Sequence, residues 1–509
     1  TIFRNNTTEL YMVDFKMSNP SVYSMPAGDV GMLVGAEIRK ETMDDIRDPN
    51  INGTIVYSTV PEAANQTTFP YISNISNSSP SPDTYGERTV SSLFAELQIP
   101  LMTNLESQVA IRAENADDYG SNVVGKVAFG FTPTSWLKVR GSSSTSHRAP
   151  NLITVNEGIV VRNNSQTDWL YTAANGEVGD SYSIQRVARG NDELEAEESD
   201  NKNIGIVITP LDNLIVTVDK WEIATENTVG LFGERNHILL DTLIRAEGGS
   251  SECTGNPRVI RGDFVADMDP ESLTYNGDWN SGFCKAGMVQ RVEDVYVNLD
   301  DRTLKGIDYA IEYSFETGLG SFSAKAMSVQ FDEFMQEASG DSLRIIAASA
   351  PGGVLEGLAP AAGYGDLLGT YNSRAYPETK NTFRLSWSNG PWNAYLSSTR
   401  VSSFFETAVT DNAKSVDVSG SSNDIYACSG TNEYDTSYSR CGDYWKVDAM
   451  RTTNLTIGYR FESGLRVRCT IRNLGDERAP LADENPFGFV ADQHQDYGKS
   501  YSLELYKKF

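Results

Sequence analysis

Apolar and polar residues alternate with a period of two along much of this chain, and this pattern constrains the fold more than any other feature. In Leu465–Arg472 every second residue is apolar, and the residues between are three arginines and a threonine. Similar alternation runs through 304–315 and 92–99, with turn residues between such segments. Because successive side chains of a β-strand point to opposite faces, each segment predicts a strand with one apolar and one polar face. No segment shows the pattern of a long amphipathic helix.

The composition excludes some classes of function and leaves others open. A formal net charge of -27 argues against a nucleic-acid partner, because phosphate binding needs clustered lysine and arginine. Mean hydropathy is -0.37, and no apolar run is long enough for a transmembrane helix. Neither fact excludes a transmembrane barrel, whose strands are apolar on one face only. A soluble secreted β-protein is an alternative, and recovery in buffer without detergent would favour it.

The connections between the predicted strands alternate between short and long. The short ones lie at 100–104, 132–135, 209–213, 316–320, 389–391 and 462–464. The long ones run through 42–87, 144–200, 224–302, 335–380, 405–445 and 473–498. Tight turns on one rim and large loops on the other are typical of an outer-membrane barrel with periplasmic turns and extracellular loops. We therefore predict an all-β fold, an antiparallel transmembrane β-barrel.

This rule places about fifteen strands in the chain. They lie near 9–17, 28–41, 88–99, 105–114, 121–131, 135–143, 201–208, 214–224, 303–315, 321–331, 382–388, 392–404, 446–461, 465–472 and 500–509. Val292–Asn298 also has strand character, and we assign it to a surface loop because it would break the alternation of connections. The chain ends in a strand at the expected periplasmic rim, so an odd strand number puts Thr1 on the extracellular side. We therefore expect an incomplete barrel that cannot close on itself.

Five cysteines indicate the compartment. Cys253, Cys284, Cys428 and Cys441 lie in polar loop stretches and form two local pairs. Disulfides Cys253–Cys284 and Cys428–Cys441 would fit an oxidising compartment such as the periplasm or the cell surface. Free thiols are the alternative for both pairs. Cys469 lies inside a predicted strand, where we interpret it as a small apolar residue.

No catalytic constellation, metal-ligand spacing or cofactor motif stands out, so we predict neither an enzyme nor a bound metal or cofactor. His147, His237 and His494 are scattered through predicted loops without a partner at metal-ligand spacing, and we interpret them as surface residues. The acidic run Asp192–Asp200 would suit calcium, but a solvated loop edge is the simpler interpretation.

Short motifs follow one another in a fixed order over roughly residues 88–509. They are Tyr119-Gly120 at a hairpin loop, Pro133 at a turn, Arg148-Ala149-Pro150 at the start of a large loop, Glu197, Ser199 and Asp200 before a strand, Thr209-Pro210 at a turn, Asp219 and Trp221 on the return strand, Gly306-Ile307-Asp308, and Arg472–Glu477 followed by Pro480–Glu484. In this order they resemble the C-terminal barrel portion of a TonB-dependent receptor, an outer-membrane nutrient transporter. We interpret the Arg-Ala-Pro and Asn-Leu-Gly-Asp pieces as fold markers and not as ligand contacts.

The end of the chain carries a second resemblance. Phe509 is the last residue, and Tyr501, Leu503 and Leu505 precede it on the same face. This arrangement resembles the assembly signal that outer-membrane proteins present to their assembly machinery. Lys507 departs from the alternation, and a lysine at the membrane edge can extend its ammonium group into water.

The resemblance to TonB-dependent receptors implies a barrel of about 22 strands around a folded plug. About the last fifteen strands would lie in this chain, whereas the plug and the first strands would be absent from it, upstream or on a separate chain. It implies active uptake of a scarce nutrient, an oligosaccharide or a ferric siderophore, driven by the TonB complex through the missing N-terminal part. A passive porin-like or adhesin-like barrel in outer-membrane lipid is the alternative, and it would lack a plug.

Ligand capture in this family falls to the extracellular loops and the apex of the plug. The loop aromatics that could stack on a ligand are Trp169, Tyr171, Tyr182, Trp279, Tyr364, Tyr371 and Tyr434. Tyrosine and tryptophan also collect at an oil–water boundary without any ligand, which is the alternative for each of them. Trp136, Trp387 and Trp392 flank predicted periplasmic turns and fit such an aromatic girdle.

Overall fold

One large sheet dominates the chain. The computed structural model describes residues 2–55, 75, 78–168, 170, 181–248, 254–263, 286–299, 301–350, 352–355, 365–369, 371–372, 374–405, 446–482 and 488–507. Within these residues, fifteen strands of the sheet follow one another in hydrogen-bonded order, and all neighbours along this path are antiparallel. Numbered in chain order with the shorter strands below, they are β1 (Arg4–Met25), β2 (Gly28–Arg47), β3 (Thr84–Met102), β4 (Leu105–Ala116), β5 (Gly120–Thr134), β6 (Leu137–Arg148), β9 (Glu197–Leu211), β10 (Leu214–Glu226), β14 (Arg302–Thr317), β15 (Gly320–Gln336), β19 (Thr379–Asn389), β20 (Trp392–Val401), β23 (Met450–Arg460), β24 (Leu465–Arg472) and β25 (Ser500–Lys507).

Each segment that the alternation assigns to a strand overlaps one strand of this path. The boundaries differ most in β1, which is 22 residues long and contains Pro20. The register of β1 against β2 shifts between Asn19 and Tyr23, and such a bulge is where a strand tolerates a proline. Val292–Asn298 is not a spanning strand of the main sheet: it forms a strand that pairs outside it.

The strands have one apolar and one polar face, as the alternation predicts. On the apolar face, Leu93, Ile111, Val123 and Ile204 are between 55% and 67% exposed. In water, a contiguous patch of this kind would be a liability, whereas in hydrocarbon it is the surface that lipid covers. The polar face carries the charged side chains that are described with the candidate site below.

Tight turns join the strands at one end of the sheet. Two residues connect β3 to β4, β5 to β6, β9 to β10, β14 to β15 and β19 to β20, and four connect β23 to β24. In the last two of these turns the backbone is left-handed, and the residues there are Gly390 (φ 56°) and Gly464 (φ 79°). Glycine adopts this conformation without a steric penalty, so these turns stay short.

Several long connections fold together at the other end of the sheet. We refer to this part as the loop subdomain, and its elements are β7 (Val160–Thr167), β8 (Ser181–Arg189), β11 (Val229–Leu231), β12 (Val259–Arg261), β13 (Val289–Asn298), α2 (Glu234–Gly248) and α3 (Gly340–Ser349). β13 is its central strand, parallel to β8 and antiparallel to β11 and β12. A further short helix, α1 (Leu152–Asn156), precedes it. None of the helices in the described part of the chain is long and apolar enough to cross a membrane.

The longest helix of the described chain, α2, is one that the sequence pattern does not reveal. This helix has 15 residues, and 237–243 are all buried. A helix that is buried all round has no polar face, so the amphipathic period that reveals a surface helix is missing. Its side chains enter a core whose members are Ile184, Ile238, Leu239, Leu240, Val259, Val289, Val292 and Ile345.

Buried ion pairs complete the loop subdomain. Arg261 is 4% exposed in its side chain, and its guanidinium donates to Asp168 at 2.7 and 2.9 Å and to Asp241 at 2.7 Å. Burial alone would lower the pKa of Arg261, but the two carboxylates outweigh it and raise the pKa. Burial alone would likewise raise the pKa of Asp294, but His237, the Gly233 N–H and Arg186 together lower it.

A second small core lies where the last connections meet. Its buried members are Phe404, Val447, Ala482 and Val490, and the His494 ring stacks on Phe404 at 5.7 Å. The predicted strands 392–404 and 446–461 break here into short pieces, because the chain turns to join this core. The short strands are β16 (Gly365–Asp366), β17 (Tyr371–Asn372), β18 (Arg374–Ala375), β21 (Phe404–Phe405) and β22 (Lys446–Val447).

Candidate functional site

Charged side chains from several strands lie together on the polar face of the main sheet. Cross-strand register fixes which residues share it. Glu37 of β2 pairs with Ser92 of β3, and Ser92 pairs with Glu114 of β4. Sequence alternation then places every second residue of each strand beside this row.

A cluster of four charged side chains lies on this face in β2 and β4. The Arg112 guanidinium donates to Glu114 at 2.6 Å and to Glu37 at 3.2 Å. Arg39 donates to Glu37 at 3.0 Å and lies 3.5 Å from Glu114. Glu114 is 6% exposed in its side chain, and the Ser92 hydroxyl also donates to it. We refer to these four residues, two positive and two negative, as the balanced cluster; Arg39 also donates to Glu41 at its edge, at 3.0 Å.

The interpretation of the histidines as surface residues is wrong for two of the three. His237 and His494 are 8% and 2% exposed, each inside one of the two small cores. His147 is partly buried, and its Nε2 lies 3.2 Å from Glu114 beside the balanced cluster. No group of three or more histidine, cysteine, aspartate or glutamate side chains could hold a metal ion in the part of the chain that the structure describes.

Several of the motif residues meet on the same polar face. The Arg140 guanidinium donates to both oxygens of Asp219, at 2.9 and 2.6 Å. Asp219 and Asp308 are direct cross-strand partners, and the Trp221 indole N–H donates to Asp308 at 3.1 Å. Each carboxylate therefore has its own donor, and the contacts fix the register of β10 against its neighbours.

Glycines make room for these side chains. A Cβ atom on Gly205 would lie 1.9 Å from an oxygen of Asp219, and one on Gly306 would lie 2.6 Å from the Trp221 ring. Both positions therefore need glycine for close approach, which explains the first residue of the Gly306-Ile307-Asp308 motif.

The Arg-Ala-Pro and Asn-Leu-Gly-Asp motifs act within the fold. Arg148 pairs with both oxygens of Glu197 at 2.6 Å, and Glu197 accepts a hydrogen bond from the Val229 N–H at 2.7 Å. Asn473 adopts a positive φ of 52°, and its side chain bonds both backbone groups of Glu477. These contacts stabilise connections, in line with the interpretation of both motifs as fold markers.

A row of hydroxyl side chains crosses the later part of the same face. Its members are successive cross-strand partners from β14 to β25, namely Ser314, Ser323, Ser386, Tyr395, Thr456, Thr470 and Ser502. The hydroxyls of Thr456 and Thr470 lie 3.0 Å apart, and a groove of ≈ 700 Å³ opens over the first four members. Because each hydroxyl can both donate and accept, this hydroxyl row offers hydrogen bonds without charge.

Arginines flank the hydroxyl row without carboxylate partners. Arg384, Arg460, Arg466 and Arg472 share its face by register. Within the described strands, no carboxylate oxygen lies within ion-pair distance of these four, and only the nearby Arg468 reaches one, Glu504 at 3.4 Å. The guanidinium of Arg466 lies 5.7 Å from the centre of the Tyr506 ring. The later part of the polar face is therefore cationic and open.

Tyr182 is the one predicted loop aromatic whose side chain the structure describes. It packs against the core of the loop subdomain, donates to Asp168 at 3.0 Å and accepts from the Val289 N–H at 2.8 Å. Burial and the charge of Asp168 raise the pKa of Tyr182 far above its usual range. Tyr371 lies in β17, where only the backbone is described. The aromatics outside the described residues are Trp169, Tyr171, Trp279, Tyr364 and Tyr434.

The predicted disulfides and the terminal aromatic are also outside the described residues. These positions are Cys253, Cys284, Cys428, Cys441 and Phe509. Both cysteine pairs and the assembly signal therefore stay predictions. Cys469 is a free, exposed cysteine in β24, where it pairs in register with Ile457 and Leu503 on the apolar face.

Sequence comparison identifies one family. The family model for the β-barrel of TonB-dependent receptor-like proteins matches residues 34–474. No curated protein matches the chain. The match covers well over half of the chain, and it runs from within β2 to the end of β24.

Solved structures with the same fold include siderophore receptors. The ferric enterobactin receptor of Pseudomonas aeruginosa aligns with a TM-score of 0.53 at 15% identity over 98% of this chain. The siderophore receptor PirA of Acinetobacter baumannii aligns with a TM-score of 0.56 at 12% identity over 99% of this chain. The chain spans about half of each, 54% and 55% of their lengths. The fold, the polar-face motifs and the family match agree: the chain belongs to the TonB-dependent receptor family, a family of outer-membrane receptors and transporters.

Proposed function

We propose that this chain forms the wall and outer loops of a TonB-coupled importer, which takes up a scarce nutrient of the oligosaccharide or ferric siderophore class. The observation that carries the proposal is the hydroxyl row, which crosses seven strands of the polar face between unpaired arginines. A polar nutrient needs wall groups whose hydrogen bonds exchange easily as it advances. Hydroxyls and free guanidinium groups meet this need, and they suit neutral sugars as well as anionic iron chelates.

The loop subdomain supports ligand capture on the outer side of the barrel. Its strands β7 and β8 come from the connection after β6, β11–β13 and α2 from the connection after β10, and α3 from the connection after β15. The parallel pairing of β8 with β13 and an ion pair of 3.0 Å between Arg344 and Glu247 join these three connections. Loops on such a scaffold hold binding residues in place, and Trp169, Tyr171 and Trp279 belong to the same connections.

We further infer that more strands and a plug complete the barrel, upstream on the same polypeptide or on a separate chain. β1 and β25 lie at the two edges of the described sheet, and each pairs there with one neighbour. An unpaired strand edge in hydrocarbon is costly, because no water satisfies its backbone groups. Energy from the TonB complex would then reach the ligand through the plug.

The test is growth and uptake in the producing bacterium. We expect deletion of the receptor gene to abolish uptake of either a labelled oligosaccharide or a labelled ferric siderophore, and deletion of TonB to have the same effect. Growth on the oligosaccharide as sole carbon source and growth in iron-poor medium separate the two classes. Uptake that persists without TonB would contradict the proposal and favour a passive barrel.

A further inference from the structure

The apolar face of the sheet carries a groove near the end that bears the loop subdomain. Its volume is ≈ 720 Å³. Strands β14, β15, β19, β20 and β23 form it, and their outward side chains there include Tyr309, Ile311, Ala326, Phe383, Arg400 and Arg451. The small side chain of Ala326 forms the floor between bulkier neighbours. This face is the one that lipid covers in the family's barrels.

Two arginines stand directly opposite each other at the top of this groove. Arg400 of β20 and Arg451 of β23 are cross-strand partners on the same face as Leu396 and Leu455. Neither guanidinium group has an ion pair or a hydrogen bond among the described residues. Like charges directly opposite each other on a sheet destabilise it, and an anion between them would remove the repulsion.

The groove changes from polar to apolar along the strands. Next to the two arginines, the hydroxyls of Ser398 and Thr453 lie 3.0 Å apart. Further along come the side walls, where Tyr309, Ile311 and Phe383 are 40%, 49% and 40% exposed. Along the groove, cationic groups are followed by hydroxyl groups and then by apolar side chains. This order complements a lipid that has an anionic headgroup and an acyl chain.

The position of Arg400 and Arg451 across the membrane fits a lipid headgroup. Trp392 begins β20 next to a tight turn and packs on Tyr459 at 4.7 Å, which is the arrangement of an aromatic girdle at the inner boundary. Arg400 lies on the same strand and face, near its other end. Since a tilted strand crosses the hydrocarbon in roughly 9–11 residues, Arg400 and Arg451 lie close to the outer boundary.

We propose that this groove is a binding site for a phosphorylated lipid of the outer leaflet. The phosphate lies between Arg400 and Arg451, because planar guanidinium groups bind phosphate oxygens in pairs. One acyl chain lies over Ala326 along Tyr309, Ile311 and Phe383, and this apolar contact separates a lipid from a free anion. The site is independent of the transported nutrient, since it lies on the opposite face of the sheet.

The experiment measures lipid binding to the full-length receptor in neutral detergent by native mass spectrometry. The probes are phosphatidic acid, diacylglycerol with the same chains, and inorganic phosphate. We expect phosphatidic acid to bind in preference to both others. Arg400→Gln and Arg451→Gln should each weaken it about fivefold, and the double variant roughly 30-fold. Arg384→Gln, on the polar face of β19, is the matched control and should leave binding unchanged.

A second variant tests the chain-binding part without touching the arginines. Ala326→Trp fills the floor of the groove, and we expect it to weaken phosphatidic acid while leaving the folded barrel intact by heat-modified mobility in gels. Equal binding of inorganic phosphate and phosphatidic acid would overturn the lipid assignment. Unchanged phosphatidic acid binding in the double arginine variant would overturn the site itself.

Discussion

The arginines of the early strands and those of the late strands of the main sheet have opposite environments. Strands β2–β6 contain six arginines, and every one lies within ion-pair distance of a carboxylate; they are Arg39, Arg47, Arg88, Arg112, Arg140 and Arg148. In the described late strands β19–β25 only Arg468 of seven does; the others are Arg384, Arg400, Arg451, Arg460, Arg466 and Arg472. One sheet therefore contains a charge-balanced part and a part whose cations are available.

If the proposed function is right, this difference separates the part of the sheet that contributes stability from the part that contacts the ligand. In the early strands the partners are fixed by register and partly buried, so they form a prebuilt wall whose charges are already satisfied. In the late strands the cations and the hydroxyl row keep their bonding capacity for something that is not part of the strand itself. On the polar face that partner would be the nutrient or the plug, and on the apolar face it would be lipid.

The largest effect is expected in the balanced cluster. Glu114→Ala removes the shortest contact of the Arg112 guanidinium and leaves it one carboxylate among the described residues, Glu37, which Arg39 shares; we therefore expect the free energy of unfolding to fall by about 2–4 kcal/mol. Glu504→Ala removes the carboxylate that pairs in the late strands, where both partners are exposed, and should cost less than about 1 kcal/mol. Urea unfolding of the receptor refolded into vesicles measures both. Equal losses in the two variants would remove the distinction between the two parts.

A second comparison uses one arginine from each part. Arg140→Gln breaks the two hydrogen bonds to Asp219, whose side chain is 13% exposed, and we expect a loss of about 1–2 kcal/mol. Arg384→Gln removes no ion pair and should change stability by less than about 0.5 kcal/mol. The same urea titrations apply. A large loss in Arg384→Gln would show that the late strands have a charge partner of their own.

Substitutions in the hydroxyl row should have the opposite effect to those in the balanced cluster: they should change transport and leave stability nearly unchanged. Thr456→Val combined with Thr470→Val keeps the shape of both side chains and removes two hydroxyls from the polar face. We expect the uptake rate to fall on the order of fivefold, since two exchangeable hydrogen bonds are lost, with little change in the unfolding midpoint. Thr89→Val, on the apolar face of β3, is the matched control. Unchanged uptake in the double variant would exclude the row from the path of the nutrient.

The sheet could be predicted from the sequence because each strand meets two environments. Hydrocarbon on one side and water on the other impose alternation within every strand. The sequences of Leu465–Arg472 and 304–315 therefore predict strands without information from the rest of the chain. The tight turns are local as well, which is why the alternation of short and long connections is visible without a structure. The motif residues Asp219, Trp221 and Asp308 could be picked out, although not the contacts that explain them.

The rest depends on contacts between distant residues. Arg186 and Asp294 are 108 positions apart, and the sequence around either residue does not predict that they pair. Helix α2 lacks an amphipathic period because 237–243 are buried on every side. The exposure of a histidine is also set by tertiary packing, so His237 and His494 were expected at the surface and lie in cores. Of the aromatics proposed for ligand binding, Tyr182 belongs to such a core as well.

The smallest expected effect is a pH dependence of local stability near His494. His147 and His494 differ in the same way as the early and late arginines, because one has a hydrogen-bond partner and the other has none in the described part of the chain. His147, beside the early strands, faces Glu114, whereas His494, after the late strands, is buried with no hydrogen-bond partner for either ring nitrogen among the described residues. Burial lowers the pKa of His494, and the charge of Asp492 opposes this only in part. As pH falls through the unfolded value of about 6.5, the unfolded segment binds a proton that the folded one excludes. The stability of the segment around His494 should therefore decrease as the pH is lowered, and it should stop decreasing below the lowered pKa of His494.

Hydrogen exchange of the backbone amides in 488–494 measures this effect. After correction for the intrinsic pH dependence of exchange, we expect easier opening at pH 5 than at pH 7, by at most about 25-fold, the limit that an unfolded pKa of about 6.5 sets. His494→Leu keeps an apolar side chain against Phe404 and should make opening independent of pH, while His147→Gln should leave the response intact. If the response survived in His494→Leu, the titrating group would be a carboxylate such as Asp492. If the pH dependence disappears only in His494→Leu, the unpartnered His494 ring causes it. The late part of the chain would then depend on pH through a buried polar group, and not only on salt or ligands through its exposed arginines.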